Sequence, residues 1–292
     1  MVESANVLTV WHTGQTMRYR VLPSVAAVAV LLSVVLTAGG ASTATAEPAP
    51  QDPEPELQRF NRRGSLVAGS KITIHNPFGD VRLRRGGEEG GYEVAAVLQQ
   101  LGEPGRRLEV RIDRAEEHML VEVVQKNTSP ATTSASREPD RSRADLVMMV
   151  PDGVTVSVTT DAGSIEAKGV QAELQLESVS GSIRAAEVDG DISGRSVSGE
   201  IHVVLGSRRA RSDQVFESVT GPIAVWLPPQ ARYQVTMATS GNLTTDFSLH
   251  VEHHEHQEPD KIGTARIGSD GPEIRMQSRR GHLFLRRRAW VD

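Results

Sequence analysis

The densest group of side chains able to do chemistry lies between His250 and Glu258, where four histidines and three glutamates occur within nine residues. Neutral imidazoles and carboxylates are common ligands of zinc and nickel. The spacing differs from the His-Glu-x-x-His motif of metalloproteases, and nothing in the sequence fixes a tetrahedral arrangement. The sequence therefore leaves two alternatives, a metal site or a solvated polar insertion over residues 250–260. The candidate metal ligands are His250, His253, His254 and His256.

Carboxylates along residues 161–200 form a second candidate site. Glycan-cleaving enzymes use two Asp or Glu side chains that face each other across a cleft. Acidic side chains at turns are equally typical of a solvated protein surface. We therefore expect a protein without enzymatic activity and keep a carbohydrate-active enzyme as the alternative. The acidic residues concerned are Asp161, Glu177, Asp189, Asp191 and Glu200.

Trp226 is the candidate for direct ligand contact. It lies in the run Ile223–Leu227, where aliphatic residues occupy every second position. Such alternation predicts a strand whose other face points outwards, and Trp226 belongs to that outer face. An outward indole can stack on a sugar or pack against a partner. The alternative is that it covers the edge of the core.

The composition narrows the functional classes. The chain has 292 residues, no cysteine and a formal net charge of −5. Disulfide scaffolds, cysteine nucleophiles, iron–sulfur clusters and thiolate zinc sites are therefore excluded, and no cofactor is predicted. Nucleic acid is not an expected partner, because affinity for phosphate backbones depends on clustered cations. The basic C-terminal residues either contact acidic envelope polymers or blunt a sheet edge; they are Arg279, Arg280 and Arg286–Arg288.

The N-terminal segment has the three parts of a secretory signal. Two arginines precede the uncharged run Val21–Leu36, and small residues follow as far as Ala46. This order predicts a cleaved, helical signal peptide over residues 1–46, with Met17 as an alternative start. Retention as a single-span anchor is the other alternative, and only then would the membrane be a partner. The expected location is secreted, periplasmic or associated with the cell envelope.

The rest of the chain divides into a linker and a single domain. Residues 47–63 begin with a Pro-rich acidic run and predict an extended linker. One all-β domain is expected over residues 64–288. Within it, residues 127–143 lack periodicity and predict a flexible loop. Strand-like runs outside the repeat described below are Lys71–His75, Tyr92–Leu98, Leu108–Asp113, Met119–Gln125 and Asp145–Pro151.

A short phrase, glycine followed two residues later by isoleucine, recurs through the second half of the chain. Its first three glycines are 18 residues apart, and the fourth follows after 22. Stepping by 18 also superposes apolar residues such as Val156, Leu174 and Ile192. The repeat positions are Gly163, Ile165, Gly181, Ile183, Gly199, Ile201, Gly221 and Ile223.

This period predicts a β-solenoid. A coil of 18 to 22 residues holds short strands but cannot bury both of its faces, so stacked coils must share one core. Glycine at each corner fits a positive φ or a close backbone approach. Stacking would also place hydroxyls above one another at one corner, either as a structural ladder or as a glycan-binding ridge. The ladder residues are Thr160, Ser178, Ser196 and Ser218.

These residues resemble the bacterial putative-adhesin family, a domain of unknown function built as an all-β solenoid. The likeness rests on Val150-Pro-Asp-Gly-Val154 followed by the Gly-x-Ile phrases, and it covers residues 64–288. Asn76-Pro-Phe-Gly-Asp-Val81 resembles the family's opening, and Trp226-Leu-Pro-Pro229 its later Leu-Pro turn. The resemblance implies a role at the envelope or surface and brings no catalytic residues.

Together the patterns predict a non-catalytic binding or scaffold protein of adhesin type. An extended face with repeated polar side chains would hold a surface polymer or an envelope protein through many weak contacts. Two alternatives remain at this point. One is a carbohydrate-active enzyme built on the solenoid, and the other is an envelope metal-binding module that uses the His-rich segment.

Overall fold

The computed structural model describes residues 55–86, 90–100, 106–127, 142–207 and 210–288. They belong to a compact unit that runs from Asp52 to Asp292, and they form strands and turns only, which confirms the predicted all-β class. In these ranges we find no helix able to span a lipid bilayer. The predicted signal peptide and most of the predicted loop 127–143 lie outside the described residues.

The strands in chain order are β1 (Glu56–Ser65), β2 (Lys71–His75), β3 (Val81–Arg85), β4 (Gly91–Gln100), β5 (Arg106–Arg114), β6 (His118–Asn127), β7 (Arg143–Val150), β8 (Thr155–Thr160), β9 (Ile165–Lys168), β10 (Glu173–Ser178), β11 (Ile183–Val188), β12 (Ile192–Ser196), β13 (Ile201–Leu205), β14 (Gln214–Ser218), β15 (Ile223–Leu227), β16 (Tyr233–Thr239), β17 (Leu243–Thr245), β18 (His250–His253), β19 (Lys261–Ile267), β20 (Glu273–Ser278) and β21 (Leu283–Arg287). The five strand-like runs expected outside the repeat correspond to β2, β4, β5, β6 and β7.

Two sheets enclose one core. Sheet A has the order β1-β4-β7-β3-β9-β11-β13-β15-β21-β17, and sheet B has the order β18-β19-β16-β20-β14-β12-β10-β8-β2-β6-β5. Along each strand buried aliphatic residues alternate with exposed or half-buried ones, as in β7 and β8. The aliphatic side chains of both sheets therefore meet in a shared interior.

Each coil consists of one strand of sheet B followed by one strand of sheet A, and strands of neighbouring coils pair in parallel. Ile165, Ile183, Ile201 and Ile223 are Cα partners in consecutive strands and are all fully buried. Val156, Leu174 and Ile192 stack in the same way in sheet B. The predicted stacking of coils with an 18-residue period is therefore confirmed.

The coils depart from chain order at both ends of the stack. The last coil, β20–β21, lies between the coils β14–β15 and β16–β17. The first coil, β2–β3, likewise lies between β6–β7 and β8–β9. The order of coils is a long-range property, since each coil offers neighbours the same pattern of buried residues and backbone groups.

Antiparallel strands close the two ends of the stack. Strands β1, β4 and β5 lie at one end, and β18 and β19 lie at the other. Because β1 pairs with β4 over its whole length from Glu56 to Ser65, the predicted linker end at residue 63 is wrong. The predicted insertion at 250–260 is also wrong in part, because His250–His253 pair with β19 as an edge strand.

Buried hydroxyls and glycines shape the corner after each sheet B strand of the repeat. The hydroxyl oxygen of Ser178 accepts a hydrogen bond of 2.9 Å from the backbone N–H of Gly181, and three later coils repeat this contact. A Cβ atom at Gly181 would overlap the carbonyl oxygen of Gly163, so these glycines permit close approach between coils. The ladder hydroxyls, at most 8% exposed, are structural and form no glycan-binding ridge.

Candidate functional site

The outer surface of sheet A carries a strong excess of positive charge. On β3, β9, β11, β13, β15 and β21, twelve side chains point away from the core, and they comprise five cations and one carboxylate. We call this surface the sheet A face. Its residues are Arg82, Arg84, Glu166, Lys168, Arg184, Ala186, His202, Val204, Ala224, Trp226, Phe284 and Arg286.

The outer surface of sheet B lacks this excess. The outward residues of β2, β8, β10, β12, β14 and β20 carry three cations and four carboxylates. The formal charges are therefore 5 − 1 = +4 on the sheet A face and 3 − 4 = −1 on its counterpart. Since the whole chain carries −5, the sheet A face is a local region of opposite sign.

Aromatic side chains cluster near the centre of the sheet A face. Trp226 is partly exposed, and its indole ring lies 4.2 Å from the imidazole of His202, measured between ring centroids. Ala224 lies in register between His202 and Phe284, and it is only 5% exposed although it points outwards. The small side chain leaves room for the larger neighbours to lean over it, which fixes the rings on an otherwise flat sheet.

The cations of this face differ in how they are engaged. Arg84 holds Glu166 at 2.8 Å, and Arg286 holds Asp246 at the same distance. Lys168 and Arg184 are exposed, and neither forms an ion pair with any other residue that the structure describes. Their charges are therefore available to a ligand.

A groove of about 520 Å³ follows the sheet A face and ends at His202. Arg82 and Arg184 lie along it together with Lys168, and the hydroxyls of Ser164 and Ser182, 3.3 Å apart, line its corner side. The groove thus combines cations and hydrogen-bonding groups, and the aromatic pair stands at its end.

His202 carries a perturbed imidazole. Burial against its neighbours is the largest influence and lowers the pKa of His202; the positive charge of Arg184 lowers it further, while Glu200 opposes the shift. The imidazole is therefore neutral at pH 7, and it meets Trp226 as an uncharged ring.

The predicted metal ligands lie at the edge of sheet B. Glu252 stands between two of them, 3.6 Å from His250 Nε2 and 3.8 Å from His254 Nε2, while His253 pairs in register with Lys261. Among the described side chains, no three His, Asp or Glu groups are arranged to hold a metal ion. The metal-binding hypothesis stays a prediction for zinc titration to test.

The carboxylates singled out in the sequence have separate surroundings. Asp191 precedes β12 and Glu200 follows it, so the strand of about 17 Å lies between them. Burial works against ionisation of Asp191, but hydrogen bonds from the Ser212 hydroxyl and from the N–H groups of Arg211 and Ser212 outweigh it and lower its pKa. Glu177 faces Arg195 at 3.9 Å. Asp191 thus anchors a loop.

The charge of the sheet A face was missed by reading residues singly. Arg184 and His202 occupy the position after the repeat isoleucines Ile183 and Ile201, and Glu166 and Ala224 occupy it in neighbouring coils. Applying the 18-residue step to these outward positions, as was done for the inward ones, would have shown the face in the sequence.

These features define a class of protein, an all-β stack of coils that presents a cationic and aromatic face on one of its two sheets. Residues 140–283, just under half of the chain, match the family model described as Toastrack DUF4097. Through this segment the chain belongs to the Toastrack DUF4097 family, which confirms the family resemblance expected from the repeat.

Several solved structures are similar to this chain. A putative cell adhesion protein from Clostridium sporogenes is 13% identical with a TM-score of 0.45, and the match covers 80% of this chain and 100% of that one. A putative adhesin from Bacteroides fragilis is 11% identical with a TM-score of 0.32, covering 80% and 99%. A putative lipid binding protein from Parabacteroides distasonis is 9% identical with a TM-score of 0.27, covering 79% and 97%. No curated protein matches the chain.

Proposed function

We propose that this protein is a non-catalytic binding module of the bacterial cell envelope and that its sheet A face holds a surface polysaccharide. The observation that carries the proposal is the aromatic pair Trp226 and His202, which lies on a flat face beside the unpaired cations Lys168 and Arg184. An exposed indole offers a sugar ring a flat apolar surface. The neighbouring cations offer charge and hydrogen bonds.

The absence of catalysis in this proposal is supported by the carboxylates. Asp191 is engaged by Ser212 and its neighbour, and Glu166 is engaged by Arg84. A glycan-cleaving pair would need two carboxylates across one cleft. The envelope location rests on the N-terminal signal predicted from residues 1–46, and it is tested by fractionating the bacterium that produces the protein.

A glycan array tests the binding function. The purified protein is applied to immobilised neutral and acidic polysaccharides, together with the Trp226→Ala variant and a Gln175→Ala control on the outer surface of sheet B. We expect wild-type protein and control to bind at least one polysaccharide and Trp226→Ala to lose most of that binding. Binding to no polysaccharide, or equal binding by Trp226→Ala, would overturn the proposal.

A further inference from the structure

We infer that the polysaccharide held by the sheet A face is acidic, an inference that rests on the proposed function and names its ligand class. The two outer surfaces of the stack share one architecture but differ in formal charge, +4 against −1. A polyanion is attracted to a local positive surface and repelled elsewhere by a chain of net charge −5. Charge alone therefore selects this face for an anionic polymer.

The register arranges the cations along a line. The side chains of one continuous row are Cα partners across six strands, in the order Arg84, Lys168, Ala186, Val204, Trp226 and Arg286. At about 4.8 Å per strand the row extends over about 24 Å. It has cations at both ends, small apolar residues in the middle and the indole near one end. A polymer lying across the strands would meet these groups in turn.

The parallel row adds a second set of contacts. Its side chains are, in register, Arg82, Glu166, Arg184, His202, Ala224 and Phe284. Glu166 is neutralised by Arg84 at 2.8 Å, which leaves Arg184 as the free charge beside the middle of the first row. A guanidinium binds carboxylate or sulfate through two parallel hydrogen bonds, and the lysine ammonium follows a mobile charge.

These positions assign roles to three residues. Trp226 stacks on a sugar ring, Arg184 binds an acidic group beside that ring, and Lys168 binds an acidic group further along the polymer. The neutral imidazole of His202 supports the indole from the side. A polymer without acidic groups would leave both cations without partners, and it would have only the stacking contact.

The test is calorimetric titration of the purified protein with polygalacturonate and dextran sulfate as acidic probes and with dextran as the neutral counterpart. We expect binding to at least one acidic probe, binding to dextran at least about tenfold weaker, and loss of affinity as salt screens the charges. The double variant Lys168→Gln/Arg184→Gln should weaken acidic binding by about tenfold. Thermal unfolding of each variant checks that the fold is unchanged.

A matched control comes from the opposite surface. The double variant Lys71→Gln/Arg275→Gln removes the same charge from sheet B and should change affinity by less than about twofold. Equal losses in the two double variants, dextran binding as tight as acidic binding, or no binding of either acidic probe would overturn the acidic class. Dextran binding that Trp226→Ala abolishes would overturn the class while supporting the proposed function. Its failure on the glycan array is therefore a distinct result.

Discussion

Trp226 packs its indole against the imidazole of His202 on the adjacent strand, with ring planes tilted by 47° and centroids 4.2 Å apart. The two residues are diagonal neighbours, because His202 pairs with Ala224 and Trp226 lies two residues further along β15. The contact holds the indole at a defined place on the sheet A face. A side chain that must meet a ligand therefore loses less conformational freedom on binding than a free rotor would.

The lowered pKa of His202 predicts a pH dependence of stability. In the unfolded chain this imidazole titrates near 6.5, whereas burial lowers its pKa in the folded state. The unfolded state thus binds more protons just below that pH, so the contribution is complete above about pH 6.5 and is lost as the pH falls through the window between the two pKa values. Urea unfolding at pH 7.5 and 5.0 should show a larger loss for wild type than for His202→Gln. Parallel curves would contradict this account.

The close approach of glycines at the corners predicts a sharp contrast between two Gly→Ala variants. A Cβ at Gly199 would overlap the carbonyl oxygen of Gly181, whereas a Cβ at Gly194 meets Phe216 and Ile201 at 3.4 and 3.5 Å. We expect Gly199→Ala to lose about 3 kcal/mol of unfolding free energy. Gly194→Ala should stay within about 1 kcal/mol of wild type. Similar losses in denaturant melts would show that the corners do not need glycine.

The loop anchor at Asp191 predicts a charge-dependent stability. Hydrogen bonds from Ser212 and Arg211 lower its folded pKa, so its contribution is present above about pH 4 and is lost as the pH falls through the folded value. Asp191→Asn should be less stable than wild type by about 1 kcal/mol at pH 7, and the gap should close in acid. Asp161→Asn is the control, since its exposed carboxylate accepts no hydrogen bond from the described residues. A gap that is constant with pH would count against the charge.

The placement of the last coil predicts that it stabilises strands on both sides. Met276 is fully buried and is the Cα partner of Phe216 in β14 and of Met237 in β16. Met276→Ala should cost about 3 kcal/mol and accelerate amide hydrogen exchange in both neighbours. Gln277→Ala, exposed on the same strand, should cost less than about 0.5 kcal/mol. Exchange that accelerates on one side only would show that the last coil is not coupled to both.

The coils themselves could be predicted from the sequence, because each Gly-x-Ile phrase builds the same local corner and the same inward residue. Strand β1 could not, since Glu56–Ser65 has no inward apolar alternation and is held by pairing with β4. The order of the last coil was hidden for the same reason, because its contacts are with residues far away in the chain. At the site, Trp226 was found by alternation, whereas Lys168 and Arg184 acquire meaning only from the register.

Backbone amide NMR of the isotope-labelled protein titrated with an acidic oligosaccharide tests most directly where the ligand binds. If the sheet A face is the site, amide shifts should change along β9, β11, β13 and β15, around Lys168, Arg184 and Trp226, while β8, β10, β12 and β14 on the opposite sheet stay unchanged. Shifts confined to sheet B, or spread evenly over both sheets, would contradict the assignment of the sheet A face as the binding surface.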